Sequence, residues 1–213
     1  MTPGGLNDRL AARLEALSIA LTAEQIQLLS EYWSLLARWN PRINLTALPL
    51  DGYPPDSIDR LIVEPLLAAR GVPPDPTTWF DLGSGGGSPA IPIKIARPKA
   101  ALVMVESRSR KAAFLREVVR TLGLTSAETV NDRFENVAGQ RPAAADCITV
   151  RAVRRDDNML TTARRLLKRS GRLILFENPD SSHDLPGFAT IDELHASLVR
   201  TRIRVVVPRG TND

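Results

Sequence analysis

The sequence predicts an α/β fold, an open parallel sheet with helices on both faces, preceded by a helical N-terminal segment. Three observations predict it. From residue 78 onward, short apolar runs alternate with amphipathic stretches of helical period, the pattern of a parallel sheet covered on both sides. The first run ends in Asp81-Leu82-Gly83-Ser84-Gly85-Gly86-Gly87-Ser88-Pro89, a glycine-rich turn followed by the helix start Ala90-Ile91-Pro92. Polar residues stand at the carboxyl ends of four runs, at 81–87, at Glu106, at 131–135 and at Arg151. Ligands of open α/β sheets bind outside those ends.

Taken in order, Leu6, Leu10, Leu14, Leu17 and Leu21 recur at helical spacing and predict a first amphipathic helix. Thr22-Ala23-Glu24-Gln25 reads as a capping box opening a second helix through Ile26, Leu29, Tyr32, Trp33 and Leu36, which Pro41 is expected to end. Its aromatics read as core. Asn44 and Thr46 follow as turn and cap residues. A short helix is expected over residues 57–70, closed by Gly71. Pro73-Pro74-Asp75-Pro76 links this part to the sheet, so residues 1–74 are expected to be a helical segment packed on a core of residues 75–213, one compact unit.

Strands are predicted at residues 78–82, 101–106, 126–130, 146–150 and 173–176. A helix runs from the glycine turn to about Ala96; another carries Ala113, Phe114, Val118 and Leu122 inward and stops at Gly123. A basic helix covers about 158–169, with Gly171 as its stop. Residues 188–196 read as strand or helix, and 201–207, with alternating Ile203, Val205 and Val207, as a final edge strand.

Composition narrows the function. The 213 residues suffice for one domain with a real core. A net charge of +4 is compatible with nucleic acid without requiring it. The single cysteine, Cys147, lies in an apolar run and excludes an internal disulfide; it reads as a buried structural thiol. His183 and His195 have no metal-ligand spacing, so neither a catalytic zinc nor a Ser–His–Asp triad is expected. No apolar run reaches membrane-spanning length, and a cytoplasmic protein is expected. A monomer is expected too.

The glycine turn indicates the ligand. A dinucleotide fingerprint reads G-x-G-x-x-G or G-x-G-x-x-A, and Ser88 occupies its sixth position here. Asp81-x-Gly83-x-Gly85-x-Gly87, with its acid ahead of the glycines, is instead similar to motif I of the S-adenosylmethionine (SAM) dependent methyltransferases, whose sheet is Rossmann-like. Such a site places a second acid at the end of the next strand, to accept hydrogen bonds from the ribose hydroxyls, and Glu106 stands there. Positive-φ glycines let backbone N–H groups approach a ligand closely.

A wider resemblance covers the chain to about Phe176. Trp39-Asn40…Asn44-Leu45-Thr46, then Asp81 to Pro92, then Glu106-Ser107-Arg108-Ser109-Arg110-Lys111, then Arg133-Phe134-Glu135, then Val150-Arg151-Ala152 occur in one order. This resembles the glucose-inhibited division protein B family, ribosomal RNA small subunit methyltransferase G. The resemblance implies methyl transfer from SAM to N7 of a guanine in 16S rRNA, with 16S rRNA or the small ribosomal subunit as partner. It implies that Gly83 and Ser88 contact the methionine end of SAM, that Asp81, Gly85 and Gly87 belong to the same cofactor site, and that Glu106 takes the ribose. Phe134 and Glu135 flank the adenine, and Arg151 stands beside the methyl donor and target base. Departures from the family pattern are Leu61 for His, Glu64 for Asp, Ser88 for Leu, Glu106 for Asp and Glu177 for Lys; Glu177 is expected to repel an RNA phosphate.

An N7 acceptor bears no proton, so no general base is expected. Arg151 is the candidate to orient the base, its rival reading being a structural salt bridge to Glu106 or Glu135. Arg108, Arg110, Lys111, Arg154, Arg155, Arg164, Arg165, Lys168 and Arg169 are expected either to rim the site for RNA phosphates or to form a solvated helix face. Three other readings stay open at this point: a SAM methyltransferase of a protein or small molecule, a non-catalytic SAM- or nucleotide-binding module, and an NAD-dependent oxidoreductase.

Overall fold

In the computed structural model, residues 5–154, 156–178, 185–194 and 201–209 are described. Leu6–Ala16 forms α1 and turns Leu6, Leu10 and Leu14 inward. This helix stops earlier than the leucine spacing predicts, because Ser18 takes a φ of 51° and leads the chain away. The predicted capping box opens α2, Ala23–Ile43: Thr22 Oγ1 accepts the Gln25 N–H at 3.2 Å, and Gln25 Oε1 accepts the Thr22 N–H at 2.9 Å. Contrary to expectation, α2 runs through Pro41. The proline lacks only its own N–H, and the helix ends two residues later where Asn44 adopts the left-handed conformation at φ 51°.

The helix expected over 57–70 is a continuous helical path in four pieces: α3 (Pro55–Ile58), a π turn (Asp59–Val63), α4 (Glu64–Ala68) and a 3-10 turn (Ala69–Gly71). Gly71 is not a left-handed cap. A Cβ there would lie 3.0 Å from Val205 and 3.1 Å from Ile174, so glycine permits the path to press against the sheet.

The sheet holds β1 (Thr78–Leu82), β2 (Ala101–Val105), β3 (Ala127–Val130), β4 (Ala145–Arg151), β5 (Leu167–Glu177), β6 (Phe188–Leu194) and β7 (Arg202–Pro208), in the order β3-β2-β1-β4-β5-β7-β6. The first five strands are parallel; β7 runs antiparallel between β5 and β6. Residues 202–208 are therefore not an edge strand as predicted. Ile203, Val205 and Val206 are all buried, and β6 takes the edge. The strand-or-helix ambiguity at 188 resolves as strand to Leu194; residues 195 and 196 lie outside the described residues. The covering helices are α5 (Ala90–Ala96), α6 (Ser109–Thr121), α7 (Phe134–Gln140) and α8 (Asp157–Leu166). The basic helix α8 ends three residues before its expected limit, and Gly171 sits inside β5, where a Cβ would lie 2.9 Å from the Ala145 carbonyl.

Alternate strand residues feed two cores. Trp79, Leu102, Met104, Cys147, Ile174, Ile203 and Val205 pack against α1, α2, the α3–α4 path, α5 and α6. Phe80, Leu82, Val103, Ile148, Leu173 and Val206 pack against α7 and α8. Each such side chain, fully buried, contributes about 1.5–3 kcal/mol. Cys147 is buried as expected. Because β1 pairs with both β2 and β4, the strand order reverses beside it, and the crevice at its carboxyl end is where a ligand fits.

Candidate active site

The turn after β1 is shaped by its glycines. Gly83, Gly85 and Gly87 take φ values of 75°, 53° and 87°. A Cβ on Gly83 would stand 2.7 Å from Val153, and one on Gly87 would stand 2.8 Å from Ile91. Most of the turn's N–H groups are used internally. Gly83 and Ser84 donate to the Val105 carbonyl at 2.9 and 3.1 Å, Gly85 donates to Glu106 Oε2 at 2.8 Å, and Gly87 donates to the Ser84 carbonyl at 2.7 Å. The expectation that these groups reach a ligand therefore fails for these four. A pyrophosphate site needs free N–H donors. This turn offers room, with an acid on each side, and that argues against a dinucleotide.

Asp81 is 1% exposed. Trp79 Nε1 donates to Thr149 Oγ1 at 2.9 Å, which leaves the Thr149 hydroxyl to donate to Asp81 Oδ1 at 2.5 Å. Asp81 Oδ2 is buried with no partner. Burial pushes the carboxyl up to about 6, against the Thr149 hydrogen bond. A buried, unpaired carboxylate oxygen is matched by a cationic ligand group. At the end of β2, Glu106 Oε1 accepts the Arg108 N–H and Oε2 accepts the Gly85 N–H, both at 2.8 Å, so this acid also fixes the glycine turn.

The N-terminal segment closes over the same turn. Tyr32 donates its hydroxyl to the Gly86 carbonyl at 2.7 Å. Asn40 Oδ1 accepts the N–H groups of Leu45 and Thr46 at 2.8 and 2.9 Å and holds the loop whose Leu45 carbonyl would lie 3.1 Å from a Cβ on Gly86. The Trp-Asn-x-x-x-Asn-Leu-Thr pattern thus encodes a loop shaped to meet the glycine turn.

Arg151, at the end of β4, is held on every side. Its Nη2 donates to Glu64, and its Nη1 donates to the Arg60 carbonyl at 2.5 Å and to Ser88 Oγ at 3.1 Å. The guanidinium lies 4.1 Å from the Phe176 ring centroid. Glu64, 2% exposed, also accepts the Thr201 hydroxyl at 2.6 Å, and Arg60 Nη1 donates to Thr201 at 2.6 Å. Ser88 in turn donates to the Leu61 carbonyl at 2.9 Å. The π turn supplies both carbonyls, of Arg60 and Leu61, to this network. Burial lowers the Arg151 pKa to about 10, which leaves it protonated at neutral pH. Its Nε–H is buried with no partner. Ala152, at φ 56°, then bends the chain so that Val153 lies against Gly83.

Two clefts meet at Gly83. One, of about 640 Å3, is lined by Ser107, Asn131, Asp132, Phe134, Glu135 and Val153. The other, of about 510 Å3, is lined by residues of α2, the 45–48 loop, Arg60, Leu61, the glycine turn, Glu106, Arg108, Lys111, Arg151 and Ala152. Asn131 Nδ2 donates to the Glu106 carbonyl at 2.9 Å, and Asn158 donates to Glu135 at 2.9 Å.

Gly83, Gly85, Ser88, Glu106, Phe134, Glu135 and Arg151 line the two joined clefts, while Asp81 and Gly87 belong to the same turn but line neither. Two expectations are corrected. The salt-bridge partner of Arg151 is Glu64, not Glu106 or Glu135. Glu177 does not face a phosphate: it is 3% exposed and paired with Arg204 at 2.5 and 2.6 Å. From the sequence Tyr32 reads only as core and Asn40 only as part of a pattern, and Thr149 and Thr201 go unremarked; Asn40 holds a neighbouring loop, while the other three act on partners far along the chain. The short α7 was missed as well, being too brief for a periodic signal. Arg155, His183 and His195 lie outside the described residues. Among the described residues, no cluster of His, Cys, Asp and Glu is placed to hold a metal, and no helix is long and apolar enough to cross a membrane.

An open sheet in this strand order, with a glycine turn after β1, an acid at its start and a second acid after β2, defines a class I SAM-dependent methyltransferase. The comparisons narrow this. A family model described as rRNA small subunit methyltransferase G matches residues 25–187. A ribosomal RNA small subunit methyltransferase G of Chromobacterium violaceum is 36% identical over 165 residues, covering 76% of this chain and 74% of that one. The protein of that name from Syntrophotalea carbinolica is 34% identical over 183 residues, covering 84% and 82%. Among solved structures, a variant of MtNAS in complex with S-adenosylmethionine shares the fold at TM-score 0.59 and 16% identity, over 94% of this chain and 84% of that one. The chain belongs to the rRNA small subunit methyltransferase G family, and its activity is SAM-dependent methyl transfer.

Proposed function

We propose that this chain methylates N7 of a guanine in 16S rRNA, with the methyl donor spanning both clefts and the RNA base entering the one that Arg151 lines. One observation carries the reading. Among the described residues lining the cleft of Arg151, there is no histidine and one carboxylate, Glu106, whose two oxygens already accept backbone N–H groups. A cleft without a free base suits an acceptor that has no proton to lose. Guanine N7 presents an exposed lone pair; the N–C bond forms as the S–C bond breaks, and the positive charge passes from sulfur to the base. When bound, SAM supplies the electrophilic methyl.

The residues fit that donor. Asp81 Oδ2, buried and unpartnered, accepts the ammonium of its methionine end. Gly83 and Gly85 line the cleft beside Ser88, Gly87 lets the turn close against Ile91, and Glu106, with a second lone pair on each oxygen, takes the ribose. Phe134 and Glu135 bound the neighbouring cleft, where the adenine sits. Arg151 keeps its Nε–H for the acceptor edge of the guanine while Glu64 neutralises its charge. That neutralisation matters, since an unpaired guanidinium would oppose both a sulfonium and a methylated base. Catalysis then rests on positioning and on a balanced field. Residues 1–74 and 75–213 act as one compact unit, and the chain works as a monomer.

Two measurements test the reading. Calorimetry should find one SAM per chain, and labelled methyl should pass from SAM to undermethylated 30S subunits. Subunits already methylated should accept none. SAM binding without transfer to any RNA substrate would remove the RNA assignment and leave the fold and the donor.

A further inference from the structure

We propose that a third cleft, beside the reaction crevice, is a phosphate subsite that grips the rRNA backbone next to the target nucleotide. It has a volume of about 310 Å3 and is lined by Arg42, Ile43, Asn44, Arg108, Ser109, Arg110 and Lys111. No acid lines it. Arg42, Arg108 and Arg110 are exposed, Lys111 is half-buried, and among the described residues none of the four side chains makes an ion pair. Elsewhere Arg120 pairs with Glu117, Arg141 with Glu128 and Lys168 with Asp146, while here four cations share one cleft without an acid lining it.

Two features join this cleft to the site. Arg108 and Lys111 line both it and the cleft of Arg151. The start of α6, a 13-residue helix with no side-chain cap and no acid in its first turn, adds its positive end to the same spot. Four cations without a counter-charge repel one another in the free protein, and a bound anion relieves that. The anion continuous with a nucleotide in the crevice is its own backbone phosphate. Arg42 enters from the last turn of α2, so the N-terminal segment supplies a substrate contact as well as a wall. The basic residues at the end of α8 and the start of β5, expected to share such a rim, do not line this cleft: Arg164 lies over Phe188, 5.9 Å from the ring centroid, and Lys168 is paired with Asp146.

The subsite rests on the RNA reading above, and the test separates the two. The Michaelis constant for undermethylated 30S subunits is measured across a salt series for the wild type, for Arg42→Ala/Arg110→Ala, and for Arg165→Ala/Arg169→Ala on the opposite side. The first pair is expected to raise the constant roughly tenfold at moderate salt and to reduce the slope against log salt by about 1.4–1.8. The turnover number and SAM affinity stay unchanged, and the second pair behaves as wild type. A constant and slope unchanged in the first pair would overturn the subsite. If the wild type transfers no methyl to subunits, the RNA reading fails by itself. The salt slope for a labelled RNA oligonucleotide then decides the cleft: a reduced slope in the first pair supports it, and an identical one overturns it.

Discussion

The two clefts that meet at Gly83 are built in opposite ways. The one bounded by Phe134 and Glu135 comes mostly from residues close in sequence, at the ends of β2 and β3, and carries two acids, Asp132 and Glu135. The one bounded by Arg151 is assembled from six segments and carries Arg60, Arg108, Lys111 and Arg151 against the single acid Glu106. Its central ion pair joins residues 87 positions apart, and Thr201 reaches Glu64 across 137. The difference teaches how the fold divides its labour. The half proposed for the adenine is a local motif at strand ends. The substrate half depends on the N-terminal segment and the last strand being folded against it.

Substitutions should separate the halves. The largest effect is expected from Gly83→Val, which places a branched side chain at φ 75° and into Val153. SAM affinity should fall about 100-fold or more by calorimetry, equivalent to roughly 3 kcal/mol. Affinity within threefold of wild type would show that the turn does not hold the donor.

Next is Glu64→Gln, which leaves the Arg151 charge buried without its partner, a change that costs about 3–5 kcal/mol where such pairs have been broken. The melting temperature should drop, and the turnover number should fall much more than SAM affinity. Thr201→Val, which removes the hydrogen bond donated to Glu64 and the one accepted from Arg60, should cost about 1–3 kcal/mol and shift turnover in the same direction.

A smaller effect, visible as a pH profile, is expected from Asp81. Its carboxyl, raised to about 6, must ionise to accept an ammonium, so SAM affinity should weaken below that pH by up to about tenfold per unit. Asp81→Asn should flatten the profile. The free protein should show the opposite trend. The folded carboxyl takes up its proton at higher pH than the unfolded one, so this group favours folding increasingly as the pH falls through about 6. Melting curves between pH 7 and 4 of wild type against the Asn variant read that directly. The smallest effect is Tyr32→Phe, which loses the 2.7 Å hydrogen bond to Gly86 and should cost about 1 kcal/mol in stability.

The same contrast explains what the sequence made legible. Strands β1 to β4 follow from apolar runs bounded by glycine and polar residues, and the donor residues stand at their ends because open α/β sheets bind ligands there. Helices α1 and α8 end short of their expected limits because apolar and basic residues continue past them, and α2 outruns Pro41 because a proline in the last turn removes only its own N–H; backbone conformation and strand pairing decide. Burial of β7 on both sides was hidden by Arg202 and Arg204, the latter neutralised by Glu177 from a neighbouring strand. Glu177 looked like a charge facing RNA for the same reason. The meaning of Glu64, Thr201 and Tyr32 lies wholly in long-range partners, which no local pattern announces.

The central claim is that a cleft without a free base serves an acceptor without a proton. The most direct test locates the transferred methyl: 16S rRNA from 30S subunits labelled by this protein is treated with borohydride and aniline, which cleave the chain at N7-methylguanine. Cleavage at one guanine, with the label in that nucleotide, is the predicted result. Label on an exocyclic amine, a ring carbon or a ribose hydroxyl would contradict the account, because each of those acceptors must give up a proton that the cleft has no free base to take.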